Sequence, residues 1–164
     1  MKKILSIILA VAVVLSFAVF ALGSGESGTE SQGSGQAEGQ SASETTLGDY
    51  EVEIKSCRLA KDYEDKDIII VTYGFTNNSD NPTAFTWTFS DEVYQSGIGL
   101  NKSYIVADSA KYSSDNQSKE IKKGATLDVE VAYELNDTTT DVEVEVSELI
   151  SFSDKTITKT FSIK

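Results

Sequence analysis

The sequence predicts an all-β fold: an antiparallel β-sandwich of about seven or eight short strands, preceded by an export segment and a disordered linker. Apolar and polar residues alternate with period two through most of residues 49–164, as they do in half-buried strands. Clusters of turn-forming residues separate the alternating stretches. No ten-residue stretch shows a helical period. Many short strands with regularly spaced turns are typical of a sandwich.

The N-terminal segment, residues 1–23, is a targeting segment. Two lysines precede an apolar run at residues 4–22, which is longer than the signal-peptide core of roughly 7–15 residues and close to the roughly 20 needed to span a bilayer. Small residues at its end fit a cleavage pattern. Gly23 and Ser24 stand where a lipid-accepting cysteine would be. Residues 1–23 are therefore either a signal peptide or an N-terminal membrane anchor.

Residues 24–48 are predicted to be a disordered linker. They consist mainly of Gly, Ser, Gln, Glu and Thr and contain no aromatic residue, so they cannot bury enough surface to offset chain entropy. Such a tether spans roughly 25–30 Å root-mean-square. A tether directly after an export segment favours an N-terminus that stays at the membrane. The folded domain is expected at residues 49–164, which is the length of one domain.

Charge and cysteine content limit the partners. The chain has a formal net charge of −12, which opposes binding to nucleic acid and to anionic lipid surfaces. We therefore expect no nucleic-acid partner, and membrane contact only through the N-terminal segment if it is uncleaved. Cys57 is the single cysteine, so no disulfide can form within the chain. It is expected to be a small buried apolar residue.

The first two strands of the domain differ in pattern. Apolar residues fall on even numbers up to Ile54 and on odd numbers from Cys57, which predicts a β-bulge near residues 55–56. Residues 60–67 form a charged connection. Residues 68–76 begin with apolar residues on both faces, as expected for a central strand that is covered on both sides.

A turn and an aromatic strand follow. Residues 77–82 are rich in Asn, Asp and Pro and predict a tight turn. Residues 83–89 alternate again, so Phe85, Trp87 and Phe89 are expected on one face, in the core.

The second half is less regular at first. Residues 90–120 predict one or two short strands and a long polar loop. A turn at Lys122–Gly124 leads into an alternating strand at residues 127–135. Further strands are predicted at residues 142–146 and 157–163.

Three marks of this domain resemble a known family. They are the Asp62-Tyr63 connection, the "VTYGFTNNSD" strand and turn, and the "KKG" before a long alternating strand. Together they resemble the domain-of-unknown-function family numbered 5067, over Asp49 to Lys164. The family occurs in exported proteins and lipoproteins of Gram-positive bacteria. The resemblance implies an immunoglobulin-like sandwich and brings no catalytic or binding residues with it.

The sequence points away from an enzyme. It contains no histidine, which excludes Ser-His-Asp and Cys-His machinery and histidine-ligated zinc. It also lacks a phosphate-binding glycine loop and a dinucleotide fingerprint. We expect no catalytic residues, no cofactor-binding residues and no cofactor other than, in the alternative below, Ca²⁺. An unrecognised hydrolase that uses two of the many carboxylates is a further alternative.

Acidic side chains alternate along two successive strands. If residues 127–135 and 142–146 pair as a hairpin, Glu134 lies opposite Glu143, and like charges in that position destabilise a sheet. Ca²⁺ bound by both carboxylates would relieve the repulsion, which makes Glu134 and Glu143 the candidate metal ligands. Alternatively, the two strands belong to different sheets and need no cation.

Three tyrosines in the irregular region are the candidate binding residues, because loops on a rigid sandwich commonly carry function. They are Tyr94, Tyr104 and Tyr112. The expected protein is exported, either secreted or tethered to the outer face of the cytoplasmic membrane. It is expected to bind an unidentified protein or glycan partner.

Overall fold

A computed structural model of the chain describes residues 45–164, which form two antiparallel four-stranded sheets packed as a β-sandwich. The strands are β1 Thr46–Leu47, β2 Tyr50–Lys61, β3 Asp67–Asn77, β4 Phe89–Gln95, β5 Ile98–Gly99, β6 Thr126–Glu134, β7 Val142–Glu148 and β8 Thr156–Phe161. One helical turn, α1 Phe85–Thr88, precedes β4, and two 3₁₀ turns, Asp108–Ala110 and Asp115–Ser118, lie between β5 and β6.

The strand order confirms the predicted sandwich. The first sheet has the order β1-β2-β3-β6 and the second β5-β4-β7-β8. In a constant-type immunoglobulin sandwich, strands A, B and E are neighbours in one sheet and C, F and G in the other. Strands β2, β3 and β6 occupy the first set of places, and β4, β7 and β8 the second. Segment 100–121 stands where strand D would be.

The main core lies between the sheets and is built from the inward positions of both. One end of it is aromatic: the rings of Tyr50, Phe75, Phe85 and Phe89 meet at centroid distances of 5.4–6.3 Å. Such tilted and edge-on contacts add to the stabilisation from burial alone.

A second, smaller core covers the outer face of the first sheet. Ile68 and Ile70 of β3 pack there with Ala132, beneath apolar side chains from segment 100–121. Because β3 is covered on both faces, its apolar residues do not alternate with polar ones at its start. This confirms the prediction of a central strand at residues 68–76.

The predicted bulge is present in β2. The register with β3 shifts between Ile54 and Ser56. Cys57, just beyond the bulge, is half-buried against the edge of the main core rather than fully buried, and this burial raises the pKa of its thiol.

The two predicted turns meet at one end of the sandwich. The buried side chain of Asn77 accepts the backbone N–H of Ser79 at 2.9 Å and donates to the carbonyl oxygens of Asn81 and Ile121 at 2.8 and 2.9 Å. Gly124 adopts φ +78°, and its N–H donates to the Asn77 carbonyl at 2.6 Å. Positive φ explains the glycine in the Lys122–Gly124 turn.

The folded domain begins before Asp49, so the predicted end of the linker at residue 48 is wrong. Leu47 is opposite Tyr50 across a tight turn and is only 1% exposed. This single apolar side chain is enough to attach β1 to the core. The predicted segment 1–23 and the linker up to residue 44 lie outside the described residues.

The predicted strand at residues 83–89 is also wrong for Phe85–Thr88, and Trp87 is not a core residue. Residues Phe85–Thr88 form a helical turn in which the Thr88 hydroxyl donates to the Ala84 carbonyl at 2.9 Å. Residues four apart share a helical face, so Phe85 and Phe89 are both buried while Trp87 is 56% exposed. The Phe-x-Trp-x-Phe spacing fits both the two-residue period of a strand and the 3.6-residue period of a helix.

We call the two ends of the sandwich proximal and distal, according to their distance from Thr45, the first described residue. The proximal end holds Thr45, the β1–β2 turn, α1 and the β7–β8 connection. The distal end holds the β2–β3 turn, the β4–β5 turn and the β6–β7 loop. No helix within residues 45–164 combines the length and the hydropathy needed to cross a bilayer.

Candidate functional site

The β2–β3 turn at the distal end is held rigidly by a buried carboxylate. Asp62 is 5% exposed, and its Oδ1 accepts the backbone N–H groups of Glu64 at 2.8 Å and Lys66 at 2.9 Å. Asp65 completes the turn with φ +65°, a conformation that Asp tolerates better than most residues. The turn therefore projects Tyr63 outward, with 64% of its surface exposed.

A segment from the long β5–β6 connection lies beside this turn. The Tyr63 N–H donates to the Ile105 carbonyl at 3.4 Å, and the Ala107 N–H donates to the Lys61 carbonyl at 3.2 Å. Tyr104 is 84% exposed and Ile105 is 53% exposed. We call Tyr63, Tyr104 and Ile105 the distal patch.

One carboxylate borders the distal patch. The Tyr63 hydroxyl donates to Asp108 Oδ1 at 2.5 Å, and this hydrogen bond raises the pKa of Tyr63. The patch thus offers one ring already fixed by a hydrogen bond and a second, Tyr104, almost fully exposed. Tyrosine is enriched among the residues that dominate protein–protein interfaces. The distal patch is thus an exposed surface of two tyrosines and one isoleucine.

The nearby β6–β7 loop is fixed in the same way. Asp137 accepts the backbone N–H groups of Thr139 and Thr140 at 2.7 and 2.6 Å, which lowers its pKa to about 2. Gln95, which is 2% exposed, donates to the carbonyls of Asp137 and Thr140 at 3.1 and 3.0 Å. The distal loops are therefore preorganised by side chains.

A cleft of about 300 Å³ opens at the side of the sandwich, between β4 and β6. It is lined by Asp91, Glu92, Val93, Tyr94, Gly99, Leu100, Lys102 and Tyr133. Asp91, whose side chain is 3% exposed, is paired with Lys102 Nζ at 2.8 Å. Its other carboxylate oxygen accepts the hydroxyl of Tyr133, which in turn lies 3.2 Å from the hydroxyl of Tyr73.

This network joins the two sheets. Asp91 belongs to β4, whereas Tyr73 and Tyr133 belong to β3 and β6. Burial raises the pKa of both tyrosines, so their hydroxyls remain protonated donors. Each polar group is matched by another group of the network, and a buried charge is tolerated only when it is matched in this way. The network of Asp91, Tyr133 and Tyr73 therefore acts as a structural link between the two sheets.

The three candidate tyrosines lie in three different places. Tyr104 belongs to the distal patch. Tyr94 lies at the rim of the cleft, where its hydroxyl donates to Glu92 and its pKa is raised to about 12, chiefly by that hydrogen bond. Tyr112 is half-buried over the second core, and its hydroxyl accepts Gln117 Nε2 at 2.9 Å. Only Tyr104 is freely exposed.

Sequence reasoning missed the other two members of the distal patch. Tyr63 was assigned to a charged connection, yet it is the single aromatic residue there, and that was the available signal. Ile105 gave no signal, because its position depends on the path of the long connection across the first sheet.

The candidate metal ligands do not face each other. Glu134 lies in the first sheet, opposite Ile68, and Glu143 lies in the second, opposite Tyr94 and Thr160. The two strands therefore do not form a hairpin, which confirms the alternative of separate sheets. Within residues 45–164, no three acidic or cysteine side chains are grouped closely enough to share a metal ion.

Other acidic residues of β6 are neutralised by basic residues of β2. Lys55 Nζ lies 2.5 Å from Asp128, and the Arg58 guanidinium binds Glu130 through both of its terminal nitrogens. The Lys55 side chain crosses β3 at Gly74, where a Cβ would lie 2.6 Å from Lys55 Cε. The negative charge of the acidic side chains of β6 is thus partly neutralised within the first sheet.

The chain is similar to two solved bacterial structures. One is from Staphylococcus aureus subsp. aureus NCTC 8325 and is described as a "putative lipoprotein"; it is 22% identical with a TM-score of 0.53, and the match covers 74% of this chain and 93% of that one. The other is a protein from Enterococcus faecalis, 17% identical with a TM-score of 0.53, covering 73% of this chain and 88% of that one. These likenesses support the fold.

Among curated proteins, none matches the chain. A family model does match, over residues 26–148, which is three quarters of the sequence and ends with β7. The strand order and the sequence marks described above agree with this match. The chain belongs to the family described as a domain of unknown function, DUF5067.

Proposed function

We propose that this protein is an exported, membrane-tethered binding module, without enzymatic activity, that presents its distal patch to a protein partner. The observation that carries the proposal is the patch itself. Tyr63, Tyr104 and Ile105 are large and exposed; Asp62 holds the turn that carries Tyr63, and the Tyr63 N–H joins that turn to Ile105, at the end opposite the β1–β2 turn. Exposed apolar groups of this kind commonly mark interaction sites.

The tether is supported by the order of segments along the chain. An apolar run at residues 4–22 is followed by a Gly/Ser-rich stretch, which leads to the proximal end at Thr45. The S. aureus structure described as a lipoprotein is consistent with a membrane-tethered relative.

A binding role is favoured over catalysis by the state of the cleft. Asp91 and Lys102 are bound to each other, and the second carboxylate of the cleft, Glu92, accepts the Tyr94 hydroxyl. With no histidine in the sequence, the cleft offers no free general base of that kind. A protein partner is favoured over a glycan because Ile105 adds an exposed aliphatic side chain beside the two tyrosines, and protein interfaces combine aromatic and apolar groups in this way.

The proposal is tested by photo-crosslinking in living cells. A benzophenone amino acid is placed at Tyr104 in the full chain, expressed in a Gram-positive host. The matched control is Thr158, an exposed residue of β8 in the other sheet. We expect a discrete, protease-sensitive adduct from position 104 and none from position 158, because only the distal patch contacts the partner.

Two results would contradict this. If position 104 yields no adduct, the distal patch has no stable partner. If a glycosidase but not a protease removes the adduct, the partner is a glycan and the assignment to a protein is wrong.

A further inference from the structure

A second group of exposed apolar side chains lies at the proximal end. Leu149, Ile150 and Phe152 belong to the β7–β8 connection and are 53%, 86% and fully exposed, and Trp87 of α1 is 56% exposed. We call these four residues the proximal loops. A soluble domain seldom exposes this many large apolar residues on neighbouring loops without a partner.

The two elements that carry these residues are neighbours. The Leu149 N–H donates to the Thr88 carbonyl at 2.9 Å, so the β7–β8 connection begins beside α1. The β1–β2 turn lies there too: a Cβ on Gly48 would be 2.3 Å from Glu148 Oε1. The proximal loops are therefore next to the β1–β2 turn, and Thr45, the first described residue, follows closely along β1, where its carbonyl accepts the Val52 N–H at 2.7 Å.

We infer that the proximal loops dock onto the surface of the lipid bilayer that holds residues 4–22. The inference rests on the tethered state proposed above. Only residues 23–44 separate the apolar run from Thr45, which lies at the proximal end. An apolar run that stays in the bilayer therefore keeps the proximal end at a high effective concentration of lipid.

The residue types fit a lipid interface. Trp has an apolar body and a polar N–H, and it is enriched where hydrocarbon meets headgroups. Leu, Ile and Phe are the side chains that interfacial elements bury among the acyl chains. Residues 45–164 hold 22 acidic and 12 basic residues, a formal charge of −10, so attraction to anionic lipid does not drive the contact. Instead, the contact is driven by insertion of the apolar side chains, and the tether assists it by keeping the domain near the bilayer.

The protein carries its own probe, because Trp87 is the only tryptophan in the sequence. The full chain is reconstituted into phosphatidylcholine vesicles with either plain or brominated acyl chains, and Trp87 emission is compared. We expect brominated lipid to quench Trp87. In the double variant Ile150→Ser, Phe152→Ser, the quenching should fall at least about twofold, because the loop no longer inserts.

The matched control is Tyr104→Ser, Ile105→Ser, which removes two exposed apolar side chains from the distal end instead. Its quenching should equal that of the unmodified chain. All four substituted residues are more than half exposed, so neither double variant is expected to disturb folding.

Several outcomes would overturn the inference. Equal emission in plain and brominated vesicles means that Trp87 does not contact lipid. Quenching that survives in the loop variant means that the loops do not mediate the contact. Quenching that falls as much in the Tyr104→Ser, Ile105→Ser control as in the loop variant means that the contact is not specific to the proximal loops.

Flotation of the vesicles separates this inference from the proposed function. A chain that floats with the vesicles but shows no quenching contradicts docking alone. A chain that does not float contradicts the tether, and the proposed function with it.

Discussion

Lys102→Met should destabilise the domain more than Asp91→Asn does, although Lys102 is the more exposed partner of the pair. The substitution leaves the Asp91 carboxylate buried with no cation, and breaking a buried pair in this way is strongly destabilising. We expect a loss of about 3 kcal/mol in the free energy of unfolding, at the lower end of the usual range because the Lys102 side chain is 35% exposed. Asp91→Asn removes the charge and should cost about 1–2 kcal/mol. Urea unfolding followed by circular dichroism measures both.

The double variant and a surface control make this test specific. Adding Asp91→Asn to Lys102→Met should recover part of the lost stability, because no unpaired charge remains. Lys123→Met breaks an exposed ion pair with Asp80 and should change stability by less than about 0.5 kcal/mol. If Lys102→Met behaves like Lys123→Met, Lys102 does not neutralise a buried Asp91 carboxylate as described.

Phe85→Ala should cost about 3–5 kcal/mol, whereas Trp87→Ala, only two residues away, should cost less than about 1 kcal/mol. Phe85 is completely buried and contacts the rings of Tyr73, Phe75 and Phe89. Trp87 lies on the opposite side of the helical turn and is more than half exposed. Urea unfolding followed by circular dichroism is suitable, because it does not depend on the tryptophan.

The same pair of variants distinguishes a helical turn from a strand at this position. An extended segment would place both side chains in the core, and the two substitutions would then have similarly large effects. Comparable losses for Phe85→Ala and Trp87→Ala would contradict the helical turn.

Much of the fold could be predicted because its strands obey simple rules. Alternation in β2, β6 and β7, the change of phase at the bulge and the doubly covered start of β3 each follow from local pattern. The helical turn could not be predicted, because a Phe-x-Trp-x-Phe spacing suits both a strand and a single turn of helix. Strand β1 was missed because Leu47 is one apolar residue at the end of a polar stretch, and only tertiary contact reveals its burial.

The candidate site was less accessible from sequence. Tyr104 is one of the three candidate binding tyrosines that the sequence indicates, but Tyr63 and Ile105 come from parts of the chain that a long irregular segment brings together. Likewise, the link between Asp91 and Tyr133 joins strands of different sheets, 42 residues apart in sequence. Contacts of this kind depend on the path of the irregular connection, whose sequence has no repeating apolar pattern from which that path could be predicted.

The two sets of exposed apolar side chains lie at opposite ends of the domain. The proximal loops lie beside the β1–β2 turn, and the distal patch lies at the other end of the strands. A module arranged in this way would rest on the membrane with one end and meet its partner with the other. Neither role requires a metal or a catalytic group.

The most direct test of this account is the N-terminus of the mature protein. The full chain is expressed in a Gram-positive host, the culture is fractionated, and the N-terminal sequence is read in each fraction. The account predicts an intact terminus, at Met1 or Lys2, in the membrane fraction, with the distal end accessible to protease added outside the cells. A protein in the medium that begins at Leu22 or Ser24 would contradict it, because a released domain has no tether to orient it.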